Sequence, residues 1–421
     1  LGVETVLEGS IRQSGDQVRI TAQLIDAESG FHLWSETYDR RLEDIFLVQD
    51  EIAAMIVSKL RIELAPQEQQ MAVRDKAPTQ NVEAYELYLQ GRAVWKRRGE
   101  ENLTRAIDLF QRALGLDPGF ARAHAALASA YVVMPGYTRE EGDEAKFLPL
   151  AVASARQALS IDPNIGEAHA VLAQINAERG NLLDAESGFF FAISLEPNEA
   201  TPHHWYSLLL SRVGRLNLSL DQARKAQELD PTSPVLAANL AGMYLMLGED
   251  EQALRFSKLA ADLGLSKKQG GIESAVAMRR GQWDEARRLI VAQEELPPEV
   301  RPQAKRYVDA VENPALRPAV IAEMLAIDPK IMPPLGLIQP LLHLGATDAV
   351  YELIFAALDE DPASWVKRWD LNHAWGPEGE AFRKDPRFAE LARRIGIVEY
   401  WKQYGFPDGC SAGQDTPIVC S

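Results

Sequence analysis

Three of the seven histidines stand at equivalent places in the chain: His124 in AHAALA, His169 in AHAVLA, and His203 in PHHWYS. A regular row of imidazoles is a pattern that could ligate metal. Each lies near the start of an apolar helical stretch, where a large packing side chain belongs. Packed helices hold neighbouring positions roughly 10 Å apart, too far to share one ion. The row therefore reads as structure. Two acidic runs, Glu140–Glu141 and Asp359–Glu360–Asp361, are expected in loops, as solvated surface. No GxxxxGK phosphate loop, no HExxH and no CxxC occurs, so phosphate-loop, zincin and dithiol chemistry have no carrier. Catalytic, cofactor-binding and metal residues are thus expected to be none. Cys410 and Cys420 lie in the tail with no histidine nearby in sequence, so they are no zinc set. They are either two free thiols or a disulfide, which needs an oxidising compartment.

The residues that could bind a partner depend on a repeat. Pro163, Pro197 and Pro231 fall 34 residues apart. Before Pro197 stand Gly180, Ala185, Phe189 and Ala192; the same offsets from Pro231 give Gly214, Ser219, Ala223 and Ala226. Each unit holds two apolar helical stretches divided by a glycine that can take the left-handed conformation. Small residues let the two helices approach, and proline stops the second. This spacing resembles the tetratricopeptide repeat. Earlier units close at Pro118 and Pro163, and a fifth keeps phase through Gly248, Ala253 and Ala260. The pattern loosens beyond Ser266 and returns before Pro362, giving about eight helix pairs. The insertion MPGYTREEGDE, with Pro135 and two glycines, is expected as an exposed loop.

In such stacks the first helices line a concave groove. By phase, Glu167, Gln174 and Glu178 of one unit, His204, Leu208, Ser211 and Arg212 of the next, and Asn239 of the fifth face it. That mixture suits an extended protein or peptide ligand, though it is also what a solvated face would carry. Trp365, Trp369, Trp375 and Trp401 cluster in an irregular final segment, which is expected to cap the end of the solenoid.

The amino-terminal part differs. Val18, Ile20, Ala22 and Leu24 alternate with polar residues, as in a half-buried strand. ETVLEGSIR and FHLWSETY read as its partners. LEDIFLVQDEIAAMIVSKL then places Ile45, Val48, Ile52, Met55 or Ile56, and Leu60 on one helical face, with Asp44 as cap. The runs VLEGS, VRITAQLIDA, LWSE and YDR resemble the second half of the TolB-like amino-terminal domain. That resemblance implies a bacterial signalling protein whose head is a class III adenylate or guanylate cyclase or a winged-helix domain. It also implies a membrane anchor, with this region outside the cytoplasm.

The expected fold class is mainly α: a tetratricopeptide-type solenoid after a small partial α/β domain. The expected divisions are 1–64 (TolB-like half), 65–80 (linker), 81–362 (repeats) and 363–421 (aromatic cap and tail). The chain starts without methionine, inside a strand, and reads as the carboxy-terminal piece of a longer protein. A net charge of −17 over 421 residues argues against non-specific nucleic-acid binding. No apolar run is long enough to span a bilayer. The function expected from these features is a non-catalytic scaffold that binds a protein or peptide. The alternatives are the regulatory part of a cyclase or the sensor half of a winged-helix regulator.

Overall fold

The computed structural model describes residues 4–41, 48, 51–52, 55, 79–138, 142–265, 271–293, 296–360, 372–413 and 418–420. They form two compact units. One comprises Leu1–Gln90 and Leu109–Ala123, the other Gly91–Asp108 and His124–Ser421.

The first unit contains an antiparallel meander of β1 (Thr5–Ser14), β2 (Gln17–Asp26) and β3 (His32–Arg41), in that order. Strand alternation buries one face of β2: Val18, Ile20, Ala22 and Leu24 pack with Trp34, Tyr38 and Val48. Ile52 and Met55 lie against this cluster, and both are helical, as the periodicity predicts. Asp44, Ile45, Ile56 and Leu60 lie outside the described residues, as does most of 65–80. Leu7 and Ile11 of β1 sit opposite Leu24 and Ile20 in the register yet remain exposed. The unit also holds most of α1 (Val82–Trp95) and the end of α2 (Glu100–Leu116). There Tyr88 meets Phe110 and Phe120.

The second unit is a stack of helix pairs. After α3 (Ala121–Val133), α4 (Pro135–Thr138) and α5 (Asp143–Ile161), three regular pairs follow. They are α6 (Gly166–Glu178) with α7 (Leu182–Leu195), α8 (Ala200–Arg212) with α9 (Leu216–Leu229), and α10 (Pro234–Met246) with α11 (Asp250–Asp262). The spaced small residues make these pairs possible. Ala185, Ala192, Ser219 and Ala226 have no exposed surface, and Ala223 almost none. Gly180, Gly214 and Gly248 turn each pair with φ of 78°, 83° and 77°. Asn181 N–H reaches back to Asn176 O and Gly180 N–H to Ala177 O, which satisfies the last carbonyls of α6.

After the regular pairs the helices are shorter: α12 (Gly271–Arg279), α13 (Trp283–Val291), α14 (Arg301–Glu312), α15 (Arg317–Leu325) and α16 (Ile338–His343). Prolines at 297, 298, 302, 314 and 318 interrupt the period. α17 (Thr347–Glu360) restores it, and it carries Asp359 and Glu360, which are therefore helical and not in a loop. Asp359 accepts from Arg394 Nη2 at 2.5 Å.

The final segment lies against α17, the last long helix, where the Phe382 ring stacks on Tyr351 at 4.4 Å and Tyr351 Oη donates to Phe382 O at 2.9 Å. It comprises α18 (Asn372–Trp375), α19 (Glu380–Lys384), α20 (Arg387–Arg394), α21 (Val398–Tyr404) and the small pair β4 (Cys410–Ser411) and β5 (Val419–Cys420). It also packs back on α7, α8 and α9, in the middle of the array. Trp375 Nε1 donates to Arg212 O at 3.1 Å and Trp401 Nε1 to Val213 O at 3.0 Å. Asp408 N donates to Gly214 O at 2.9 Å. A helix C-terminus leaves carbonyls without intrahelical partners, and these three donors serve the end of α8. Asp408 Oδ2 in turn accepts from Asn217 N at 2.8 Å, at the start of α9, where a carboxylate is favoured by the helix dipole. Cys410 and Cys420 form a disulfide, with S–S 2.13 Å. Trp365 and Trp369 lie outside the described residues.

The candidate cleft in the helical stack

The histidine row has a structural role. His169 Nε2 donates to Pro163 O at 2.9 Å, and His203 Nε2 to Pro197 O at 3.0 Å. Each imidazole ties its helix to the proline that closed the previous unit. His204, one residue on, points elsewhere and is buried.

His204 lines a cleft of about 1080 Å³ within the second unit. Its walls come from the α1–α2 turn (Arg98), from α4 and the start of α5, from the end of α6 (Gln174, Glu178) and from α8 (Trp205, Leu208). The insertion expected as a loop is thus in part a wall. Pro135–Thr138 is helical, Met134 is buried, and Asp143 is buried with its carboxylate accepting from Thr138 Oγ1. Covering the apolar end of α3 is the physical gain from folding this insertion down. Glu140 and Glu141 lie outside the described residues.

Of the eight residues placed in the groove by phase, Gln174, Glu178, His204 and Leu208 line this cleft. Gln174 Nε2 donates to Glu178 Oε1 at 2.8 Å, and Leu208 is 36% exposed. The other four do not line it. Glu167 is buried, accepting from Arg92 Nη1 at 2.7 Å and Ser129 Oγ at 2.8 Å. Ser211 Oγ donates to Leu208 O at 2.9 Å, Arg212 Nη1 to Ala177 O at 2.9 Å, and Asn239 Nδ2 to Ser207 Oγ at 2.8 Å. The Ser211 bond stays within α8, whereas the polarity of Glu167, Arg212 and Asn239 serves contacts between helices. Phase alone could not separate the two sets, because both sit on the inner side.

The sequence reading missed Arg98. It is the one non-glycine residue with positive φ among those described, at 54°. The αL conformation costs an L-residue with a Cβ roughly 1–2 kcal/mol. Its guanidinium is 6% exposed and lies over the Trp95 ring, Cζ 3.5 Å from the centroid. A faint signal exists: Gly99 stands 19 residues before Pro118, whereas Gly180 stands 17 before Pro197. The longer first turn is what places Arg98 there.

Burial and the charge of Arg98 hold His204 from an ordinary 6.5 down to about 3, so the ring is neutral. The unfolded chain then binds a proton that the folded chain refuses between those two values. Stability should fall as pH drops below about 6.5, by about 2 kcal/mol at pH 5 from this residue. In His204→Gln, urea titrations at pH 7 and pH 5 should differ by that much less than in the unaltered protein.

The pentapeptide Gly409–Gly413, GCSAG, spells the GxSxG pattern. A nucleophile elbow needs a strand-to-helix turn and a histidine partner. Ser411 instead lies in a two-residue strand beside a disulfide-bonded cysteine. It has no such context. No helix among the described residues is long and apolar enough to cross a membrane.

No family model matches the chain. A 128-residue stretch, 30% of the chain, is 43% identical to a protein of Rhizobium meliloti (strain 1021) described as "Putative adenylate cyclase 3". The match spans about a fifth of that relative, 22% of its length. Among solved structures, similarity extends to PilF of Pseudomonas aeruginosa, at 19% identity and TM-score 0.38 over 54% of this chain and 96% of that one. It extends also to a thermophilic TPR protein of Thermus thermophilus, at 20% identity and TM-score 0.35 over 46% and 97%. A third is YrrB, described as a TPR protein with an unusual peptide-binding site, at 18% identity and TM-score 0.26 over 51% and 97%. The helix pairs, their glycine turns and their 34-residue period make this chain a helical solenoid of the tetratricopeptide type, joined to a three-stranded antiparallel sheet.

Proposed function

We propose that this chain is a non-catalytic, partner-binding region of a bacterial signalling protein. Its working surface is the cleft of the second unit, which takes an extended peptide segment of another protein. The observation that carries the reading is the cleft itself. It is large enough for several peptide residues, and it joins apolar surface from Trp205 and Leu208 to hydrogen-bonding groups at Gln174 and Glu178. Glu167, Arg212 and Asn239 hold the helices that form it.

The test is selection from a random peptide library, with Leu208→Arg as the control. Leu208 is part-exposed, so the change is tolerated by the fold. A charge at an apolar contact should cost the selected peptides tenfold or more in affinity, about 1.4 kcal/mol. Equal binding to both proteins, by calorimetry, would remove the cleft as the site.

A second reading has support in the identity with the Rhizobium protein. On it, the region regulates a nucleotide cyclase whose catalytic residues lie elsewhere. The two readings are compatible. Formation of cyclic AMP from ATP by this chain alone would contradict its non-catalytic character. The Cys410–Cys420 disulfide supports a place outside the cytoplasm, where such bonds persist.

A further inference from the structure

Arg98, Tyr137 and His204 line the same cleft, and the described residues fill the hydrogen-bonding capacity of none of the three side chains. Arg98 makes one hydrogen bond, Nη1 to Trp95 O at 3.3 Å. No carboxylate forms an ion pair with it among the described residues. The nearby Glu167 is already held by Arg92 and Ser129. No described residue bonds the Tyr137 hydroxyl or the His204 ring. Beneath Arg98, Trp95 Nε1 is also buried without a partner. Tyr137 is 38% exposed, but Arg98, His204 and Trp95 Nε1 are buried, and buried polar groups are ordinarily paired, so these three in one place call for an explanation. Arg98 adds a second anomaly, because a guanidinium is held in a strained backbone conformation at a site that burial disfavours.

We propose that Arg98, with the Tyr137 hydroxyl, forms a subsite in the cleft for a single carboxylate on the bound peptide. The inference rests on the peptide-binding reading above and adds the chemistry of one ligand group. A planar guanidinium matches a carboxylate through two parallel N–H donors. Stacking on Trp95 fixes the plane of that fork. The remaining charge on the walls argues for a monoanion. Among the described residues, Asp143, Glu144 and Glu178 also line the cleft, against Arg98 and Arg179. A phosphate dianion or a run of acidic residues would be repelled by those walls, whereas one carboxylate at Arg98 is not. His204 adds no second cation there, because burial, and after it the charge of Arg98, keeps its ring neutral.

The experiment compares peptides selected on the unaltered protein and on Arg98→Met, with Leu208→Arg beside them. Selection on the unaltered protein should enrich Asp or Glu at one position. Arg98→Met should bind the selected peptide 10- to 100-fold more weakly, the range of a charge-assisted pair. It should bind the Gln or Asn version of that peptide about as well as the unaltered protein does. Tyr137→Phe should lose a few-fold. Separately, glutarate at tens of millimolar should shift the Arg98 Nε–H resonance, identified by its loss in Arg98→Met, more than inorganic phosphate does.

Peptides selected without acidic enrichment, yet lost in Leu208→Arg, would overturn the carboxylate subsite and leave the cleft standing. Peptides unaffected by Leu208→Arg would overturn the cleft. The glutarate titration then decides the subsite alone, and no shift, or a larger one with phosphate, would overturn it. If Arg98→Met does not fold, Arg98→Lys, which also lacks the Nε–H, identifies the resonance, and Tyr137→Phe and the two titrations decide.

Discussion

Glu186→Ala should destabilise the second unit by about 3–5 kcal/mol and release the C-terminal segment to proteases. Glu186 lies on α7 with no exposed surface. Its Oε1 accepts from Tyr206 Oη at 2.6 Å and Arg215 Nη1 at 3.0 Å, and its Oε2 from Tyr400 Oη at 2.7 Å. Arg215 Nη1 also reaches Tyr400 Oη at 3.3 Å. Two phenols and one guanidinium thus surround one carboxylate. Burial, then Glu186, raises the pKa of both Tyr206 and Tyr400, so both remain protonated donors. Removing the carboxylate leaves Arg215 buried without its counter-charge, which is the costly outcome. It also unties α21, because Tyr400 reaches across 214 residues of sequence to this one acceptor. Tyr400→Phe removes one hydrogen bond and should cost only about 1 kcal/mol. Urea unfolding gives the two losses, and limited trypsin digestion shows whether cutting after Arg383, Arg394 or Lys402 accelerates. Equal losses for the two variants would mean that the carboxylate is not the centre of the cluster.

This cluster shows what could be read from the sequence and what could not. The alanines at 185 and 192 and the glycines at 180 and 214 were legible because their task is local and repeated. Each lets two adjacent helices touch or turn, and every unit needs the same residue there. Glu186 follows Ala185 and looks like a surface glutamate on a helix. Its burial depends on a segment that arrives from far along the chain, and no period encodes that arrival. The tryptophans were legible as apolar cover but not by destination. Trp375 and Trp401 go to the α8–α9 turn because the carbonyls of Arg212, Val213 and Gly214 there accept from their indoles and from Asp408 N. The site divides in the same way. Leu208 and His204 follow from helical phase, since phase fixes which side of a helix faces inward. Arg98 does not follow, because its place depends on a left-handed turn of irregular length.

Gly214→Ala should cost about 3 kcal/mol, and Gly248→Ala about 1–2. The two glycines are equivalent in the repeat and share the left-handed conformation, with φ of 83° and 77°. A methyl group therefore strains both backbones alike. Their surroundings differ. A Cβ on Gly248 would meet open space, whereas one on Gly214 would lie 2.7 Å from both Pro407 Cβ and Trp375 Cε2. Neither neighbour can yield freely. Trp375 is held by its bond to Arg212 O and packs edge-on against Trp401 at 6.2 Å. Pro407 adjoins Asp408, which is bonded to both Gly214 O and Asn217 N. The overpacking adds roughly 1–3 kcal/mol to the strain. The pair of variants thus separates what the turn itself demands from what the docked segment demands. Deleting residues 372–421 in each background completes the comparison. If the segment is the cause, the excess loss at Gly214 disappears in the truncated protein and the loss at Gly248 does not change. An excess that survived truncation would place its origin within the helix pair α8–α9, and the docking of Trp375 on this turn would have to be abandoned.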